Sequence, residues 1–198
     1  MTGIILAGGE NKRMGVDKAF LTVAGIPMIE RVLQALGPVV NRIIIVTNSP
    51  ERYHAYHARV ITDKLDQRGP LTGIYSGLCS SESEYNVVVA CDMPFLNAGL
   101  LSYLMDLAPG YDAVVPVFGE LTEPLHAVYS KKLLPVIEKR IREDERRMQG
   151  IFGRANVRYV TEKEISRFDP ERRSFINLNT QEQYKEATCS DSECRNCS

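Results

Sequence analysis

The side chains best suited to chemistry cluster near the start of the chain, in Leu6-Ala7-Gly8-Gly9-Glu10-Asn11-Lys12-Arg13-Met14-Gly15-Val16-Asp17-Lys18. Gly8 and Gly9 carry no Cβ, so backbone N–H groups there can approach phosphate oxygens and take positive φ without strain. Lys12, Arg13 and Lys18 add positive charge around a polyphosphate. A glycine pair with these cations, placed just after a short apolar run, is a layout for holding a nucleoside triphosphate. The loop is of neither common type. The chain has no Gly-x-x-x-x-Gly-Lys-Ser/Thr sequence and no Gly-x-Gly-x-x-Gly dinucleotide fingerprint.

Further candidates lie downstream. Asp92 follows the apolar run Val87-Val88-Val89-Ala90 and Cys91. A carboxylate there is costly to bury unpaired, so it either stays solvated while capping the next turn or meets a cation. Magnesium suits the second case, since it takes one or two carboxylates and completes its shell with substrate phosphates. Asp63 follows Val60-Ile61-Thr62, with Asp66 as a nearby competitor. Gly69-Pro70-Leu71-Thr72-Gly73 reads as a rigid turn and helix start, either an ordinary junction or a presenter of backbone groups to a base. Asn177 and Asn179 alternate on one face of an extended stretch, where two amides can bond a heterocycle or nearby backbone. His54 and His57 have metal-like spacing without supporting ligands and read as exposed helix residues.

The elements that must position these groups alternate along the chain. Gly3-Ile4-Ile5-Leu6, Ile43-Ile44-Ile45-Val46 and Val87-Val88-Val89-Ala90 are continuous apolar runs, the pattern of strands covered on both faces. Between them, residues 28, 29, 32, 33 and 36 repeat at helical spacing, with Pro27 suited to the first turn and Gly37-Pro38 as a stop. Helix-like segments are also expected over 51–57, 71–80, 97–107 and 131–142, and strands at 60–61, 113–115, 126–129 and 157–160. Thr180 suits the cap of a last helix. Alternating strands and helices imply right-handed βαβ units and a parallel sheet, which binds ligands beyond the carboxyl ends of its strands. The loop after Ala7, Asn48, Asp63 and Asp92 all fall at such ends.

Composition bounds the partners. The 198 residues suffice for one domain with a sizeable core, and 44% hydrophobic with 25% charged residues is ordinary for a globular protein. A net charge of −1 gives no global attraction to nucleic acid or an anionic membrane. No segment has the length of a membrane span or the layout of a signal peptide, so a cytoplasmic location is expected. Cys79 and Cys91 lie in apolar surroundings and read as small buried thiols. Cys189, Cys194 and Cys197 sit in a polar tail, where three thiols lack a clear fourth metal ligand. An odd cysteine count argues against a disulfide framework. The tail over 188–198 is read as disordered, reduced and dispensable.

Leu-Ala-Gly-Gly-x-x-x-Arg-Met-Gly-x-Asp-Lys, from Leu6 to Lys18, resembles the signature loop of nucleotidyltransferases. In its details it is similar to that of the molybdenum cofactor guanylyltransferases, the MobA-like nucleotidyltransferase family. Gly69–Gly73, Cys91-Asp92-Met93-Pro94-Phe95, Pro124–Tyr129 and Phe175–Thr180 follow in the same order as in that family. The resemblance covers about Thr2 to Ala187. It implies a Rossmann-like α/β fold, a three-layer sandwich with a mostly parallel sheet, over 1–187. The N-terminal half would bind nucleotide and the C-terminal half pterin.

It further implies transfer of GMP from GTP to the phosphate of molybdenum-molybdopterin, with release of pyrophosphate and magnesium as the cofactor. Lys18, Asp92 and Arg13 would be catalytic, and Asp92 the metal ligand. Leu6, Ala7, Gly8, Gly9, Asp63 and the Gly69, Pro70, Leu71 turn would contact nucleotide, and Asn177 and Asn179 the pterin. Arg146 and Arg147 resemble arginines of the family's C-terminal half. Other cofactor-assembly proteins and target molybdoenzymes would be partners; nucleic acid and membrane would not. His126 is not expected to act as a base, because a phosphate nucleophile needs little deprotonation near neutral pH.

One position departs from the pattern. The family often has an Asn at the second strand, where this chain has Val46, with Asn48 two residues later. A cytidylyltransferase relative typically reads Leu-Ala-Ala-Gly in the opening loop, against Leu6-Ala7-Gly8-Gly9 here. A catalytically inert nucleotide-binding scaffold is the alternative from another class, and the presence of both Lys18 and Asp92 disfavours it.

Overall fold

A computed structural model describes residues 1–8, 18–67, 69–145, 148–178 and 183. The chain opens with β1 (Thr2–Leu6), then a single 3-10 turn at Lys18–Phe20 and a small hairpin of β2 (Thr22–Val23) and β3 (Ile26–Pro27). Next come α1 (Met28–Leu36), β4 (Arg42–Val46), β5 (Arg59–Ile61), α2 (Pro70–Ser80) and β6 (Tyr85–Ala90). The second half holds α3 (Ala98–Asp106), β7 (Ala113–Phe118), β8 (Leu121–Thr122) and β9 (His126–Ser130). It continues with α4 (Leu134–Arg142), a 3-10 stretch at Met148–Arg154, β10 (Val157–Thr161) and the one-turn α5 (Glu162–Ile165).

The main sheet runs β10-β7-β9-β6-β1-β4-β5, with β8 attached to β7. β1 is parallel to both neighbours, with Leu6 opposite Val46 on one side and Ala90 on the other. β4 and β5 continue the parallel run. β9 enters antiparallel between β6 and β7, placing His126 opposite Val89. The result is the expected mostly parallel sheet with a mixed C-terminal part.

Alternating side chains divide the core into two faces. Ile5, Ile45, Val87, Val89 and Val128 pack with Ile29 and Val32 of α1 and Leu100 and Leu104 of α3. Ile4, Leu6, Val46, Val88 and Ala127 pack with Leu71 and Ile74 of α2 and Ile137 and Ile141 of α4. Each such Val, Leu or Ile side chain, fully buried, contributes about 1.5–3 kcal/mol of hydrophobic stabilisation. Helices on both faces are what make the strand sequences apolar throughout instead of alternating.

Two local expectations change. The helix expected over 51–57 is a 3-10 turn at Pro50–Tyr53, because only Tyr53 is fully buried while His54 and His57 face water. Cys79 and Cys91 are partly exposed, not fully buried. Both lie near element ends, Cys79 in the last turn of α2 and Cys91 just past β6. Thr180 and the 188–198 tail lie outside the described residues.

Candidate active site

The carboxyl ends of β1, β4, β5 and β6 share one edge of the sheet. Pairing continues past the strands there: Ala7 N–H donates to the Val46 carbonyl at 2.8 Å and Cys91 N–H to the Leu6 carbonyl at 3.0 Å. Leu6 and Ala7 are buried, and Gly8 emerges into solvent. Gly9, Lys12 and Arg13 lie outside the described residues. The chain returns at Lys18, whose position is held from behind. Ala19 is fully buried, and the Phe20 ring packs 5.1 Å from Tyr53 beneath the Arg52 guanidinium at 4.7 Å.

Asp92 stands just past β6. Burial pushes its carboxyl above the usual range, while the Lys18 charge and its own backbone N–H pull it back. Lys18 and Asp92, separated by most of the first half of the chain, therefore act on each other at this edge. Among the described residues no group of three or more His, Cys, Asp and Glu could hold a metal. One half-buried carboxylate fits a divalent cation that draws its other ligands from phosphate and water.

Asp63 occupies the end of β5, and burial raises its carboxyl as well, with Asn48 and Ser76 opposing. The Ser76 hydroxyl donates to the Thr72 carbonyl and accepts the Lys64 N–H, both at 2.8 Å. Asp63 Oδ1 is buried without a hydrogen-bond partner among the described residues. Asp66 is exposed. The Val46 and Asn48 alternatives separate by burial: Val46 is 3% exposed within the core, whereas Asn48 stands at the edge. A Cβ at Gly8 would lie 3.8 Å from Asn48 Nδ2, so Gly8, Asn48 and Asp63 form one neighbourhood.

The turn at Gly69 and Pro70 starts α2 beside this neighbourhood. Gly69 has φ of 147°, a conformation that favours glycine, and no side chain caps the helix. Gly73 and Gly77 face β1: an added Cβ would fall 3.1 Å from Leu6 Cδ2 and 2.6 Å from Ile4 Cγ2. Gly73 is thus a packing residue, which lets α2 sit close to the strand. Gln67, Gly69, Leu71 and Thr72 line an open cleft whose other wall is Ile141, Asp144 and Glu145.

The C-terminal strap reaches the same place. Leu178 N–H donates to the Asp92 carbonyl at 3.1 Å, which sets Asn177 beside the Asp92 loop. Asn179, Arg146 and Arg147 lie outside the described residues. His126 is completely buried and its ring stacks on Phe175 at 4.6 Å. Burial lowers its pKa to about 4, against the Ser174 carbonyl and the Asp169 charge. It is neutral at pH 7, and its ring supports the strap through Phe175 and the Ser174 carbonyl. Ser174, Asn97 and Leu178 were not singled out by sequence. Their partners lie far along the chain, and no local sequence pattern points to them. No helix among the described residues is long and apolar enough to cross a membrane.

Residues 3–159 match the model of the MobA-like NTP transferase domain. A molybdenum cofactor guanylyltransferase of Desulfosudis oleivorans is 39% identical over 189 residues, covering 94% of both chains. The crystal structure of molybdopterin-guanine dinucleotide biosynthesis protein A from Archaeoglobus fulgidus superposes with a TM-score of 0.85 at 29% identity, covering 98% of this chain and all of that one. The 4-diphosphocytidyl-2C-methyl-D-erythritol synthase of Anaerococcus prevotii, 17% identical, shares the fold with a TM-score of 0.72 over 96% of this chain and 95% of its own.

Proposed function

This chain belongs to the MobA-like NTP transferase family, and from that premise we propose that it transfers GMP from GTP to molybdenum-molybdopterin, giving molybdopterin guanine dinucleotide and pyrophosphate. The observation that carries the reading is the meeting of Lys18, Asp92 and the C-terminal strap at one sheet edge. The relatives' names supply the substrates. On this reading the N-terminal half, within a domain of residues 1–187, binds nucleotide, and the C-terminal half binds pterin.

The terminal phosphate of the pterin cofactor attacks the α-phosphorus of GTP. A new P–O bond forms as the bond to the β-phosphate oxygen breaks, and pyrophosphate leaves with that electron pair. The attacking phosphate monoester, with a second pKa of about 6, is largely ionised at neutral pH, so no protein base is required. Lys18 and Arg13 hold the triphosphate and offset the charge that grows on the leaving group. Leu6, Ala7, Gly8 and Gly9 offer backbone groups to the nucleotide. Asn48 and Asp63 border it, and the Gly69-Pro70-Leu71 turn faces the base. Asn177 and Asn179 orient the pterin. Asp92 holds magnesium; bound there, that ion supplies positive charge at the phosphates and lowers the cost of the transition state. The proposed compartment is the cytoplasm, and cofactor-assembly proteins and recipient molybdoenzymes are the proposed partners.

The test supplies purified protein with molybdenum-molybdopterin, magnesium and equal GTP, CTP, ATP and UTP. The guanine dinucleotide should form in excess. Equal or greater product from CTP rejects the guanylyl assignment, and a folded protein that turns over nothing is the inert scaffold.

A further inference from the structure

Residues 174–178 and 92–97 run antiparallel, fastened at both ends. At one end Leu178 N–H meets the Asp92 carbonyl at 3.1 Å. At the other, Ser174 Oγ donates to the Phe95 carbonyl at 3.3 Å and accepts the Asn97 N–H at 3.0 Å. Ser174 is completely buried, and its own N–H is held by the Asp169 carboxylate at 2.8 Å. Asn97 is a second junction. Its Nδ2 donates to the Phe168 carbonyl at 3.0 Å, and its Oδ1 accepts the Leu100 N–H at 2.9 Å as the cap of α3. The His126 ring closes the strap from below, with Nδ1 3.3 Å from the Ser174 carbonyl.

These bonds join residues 77 and 79 positions apart, so they fix the C-terminal segment to the Asp92 loop where no local structure would. Buried hydrogen bonds of this kind have one well-defined geometry, because leaving either partner unmet is costly. Between the two fastenings lies Asn177, one residue before the bond to Asp92.

We propose that Ser174 and Asn97 are positioning residues, which clamp the strap against the 92–97 loop and so set the spacing between Asp92 on the donor side and Asn177 on the acceptor side. The proposal rests on the functional reading that Asn177 meets the pterin. Its physical basis is that a misplacement of about 1 Å between reacting partners costs on the order of 10²-fold in rate. Neither residue needs to touch substrate.

A matched pair of serines tests it in the full-length protein. Ser130, 1% exposed at the opposite edge of the sheet, also makes two bonds: Oγ donates to Glu84 at 2.6 Å and accepts the Lys132 N–H at 3.1 Å. Ser130→Ala and Ser174→Ala therefore remove comparable buried contacts. Both should lower Tm. Only Ser174→Ala should raise the KM for molybdenum-molybdopterin, by about tenfold or more, while GTP binding without acceptor stays within about twofold of wild type. Asn97→Asp keeps the helix cap but loses the Nδ2 donor, and should shift the same KM in the same direction without depending on the serine variant's folding. Acceptor kinetics of Ser174→Ala and Asn97→Asp that match Ser130→Ala, in an active wild-type background, overturn the proposal alone. A wild-type protein that transfers no GMP overturns the functional reading and the proposal with it.

Discussion

Replacing Gly77 by alanine measures how closely α2 is seated on the sheet. The new Cβ would fall 2.6 Å from Ile4 Cγ2 and 3.0 Å from Cδ1, where ordinary contact begins at 3.4 Å, an overlap of about 0.8 Å. Ile4 has nowhere to go. It is completely buried, and β1 is hydrogen-bonded to strands on both sides. The helix must lift instead. Overpacking of this kind costs about 1–3 kcal/mol, and the better helix propensity of alanine offsets up to about 1 kcal/mol. A net loss of about 1–2 kcal/mol in a domain of this size corresponds to a Tm drop of about 2–8 °C. Gly73→Ala should be milder, since its Cβ meets the end of the Leu6 side chain at 3.1 Å, and Gly153→Ala, with nothing within 4 Å, serves as baseline. Because the lifted helix begins at Gly69, Gly77→Ala should also raise the KM for GTP more than it lowers kcat. Thermal melts and steady-state kinetics on the three variants supply both readouts. A Gly77→Ala protein as stable as Gly153→Ala, or less harmed than Gly73→Ala, refutes the packing argument.

Asp92→Asn should cut turnover at millimolar magnesium by about 10²–10³ without lowering Tm. Burial raises this carboxyl, so its ionised form opposes folding; that penalty is absent below the unfolded pKa and grows as pH rises through the folded one. The Tm of the Asn variant should accordingly gain on wild type as pH rises through the acid range, and unchanged turnover in a folded variant would make Asp92 structural. His126 has the opposite charge logic. With its pKa lowered from 6.5 to about 4, the folded state refuses a proton that the unfolded state accepts, so about 3 kcal/mol of stability should be lost as pH falls across that span. A melting curve of His126→Gln against pH should be flatter there, and an identical slope would exclude His126 as the cause. Deleting residues 188–198 should leave turnover unchanged; near-stoichiometric zinc or iron in the full-length protein, lost with activity on truncation, would contradict that.

Much of the scaffold was readable because of where it is buried. β1, β4 and β6 are covered on both faces, so their sequences are unbroken apolar runs, and the ends of β5 and β6 pointed to Asp63 and Asp92 at a common edge. The β2–β3 hairpin was not read: each strand has only two residues, and its Ala24-Gly25 turn takes positive φ at an alanine that gives no warning. That Val46 lies in the core and Asn48 outside it needed three dimensions, because position along the strand does not reveal which residue leaves the core. That Asp63 is partly buried beside Ser76 and Asn48 while Asp66 is exposed depends on residues from other elements. The clamp from Ser174 to Phe95 and Asn97 was invisible for the same reason. Its residues carry no periodic signal, and their partners are set by how the chain returns to the sheet.

The bond between Leu178 and Asp92 also orders events in time. A ribosome adds about 5–20 residues each second, so the 86 residues from Asp92 to Leu178 take about 4–17 s to make. Once clear of the ribosome, and before the strap is made, β1, β4, β5 and β6, all specified before residue 91, can pair as a parallel sheet. The newborn chain thus has its triphosphate-holding edge well before the strap exists. Under the proposed division of labour, a nascent protein could grip nucleotide but would have no one to give it to. Competence to transfer arrives only once the strap has followed the strands of that edge.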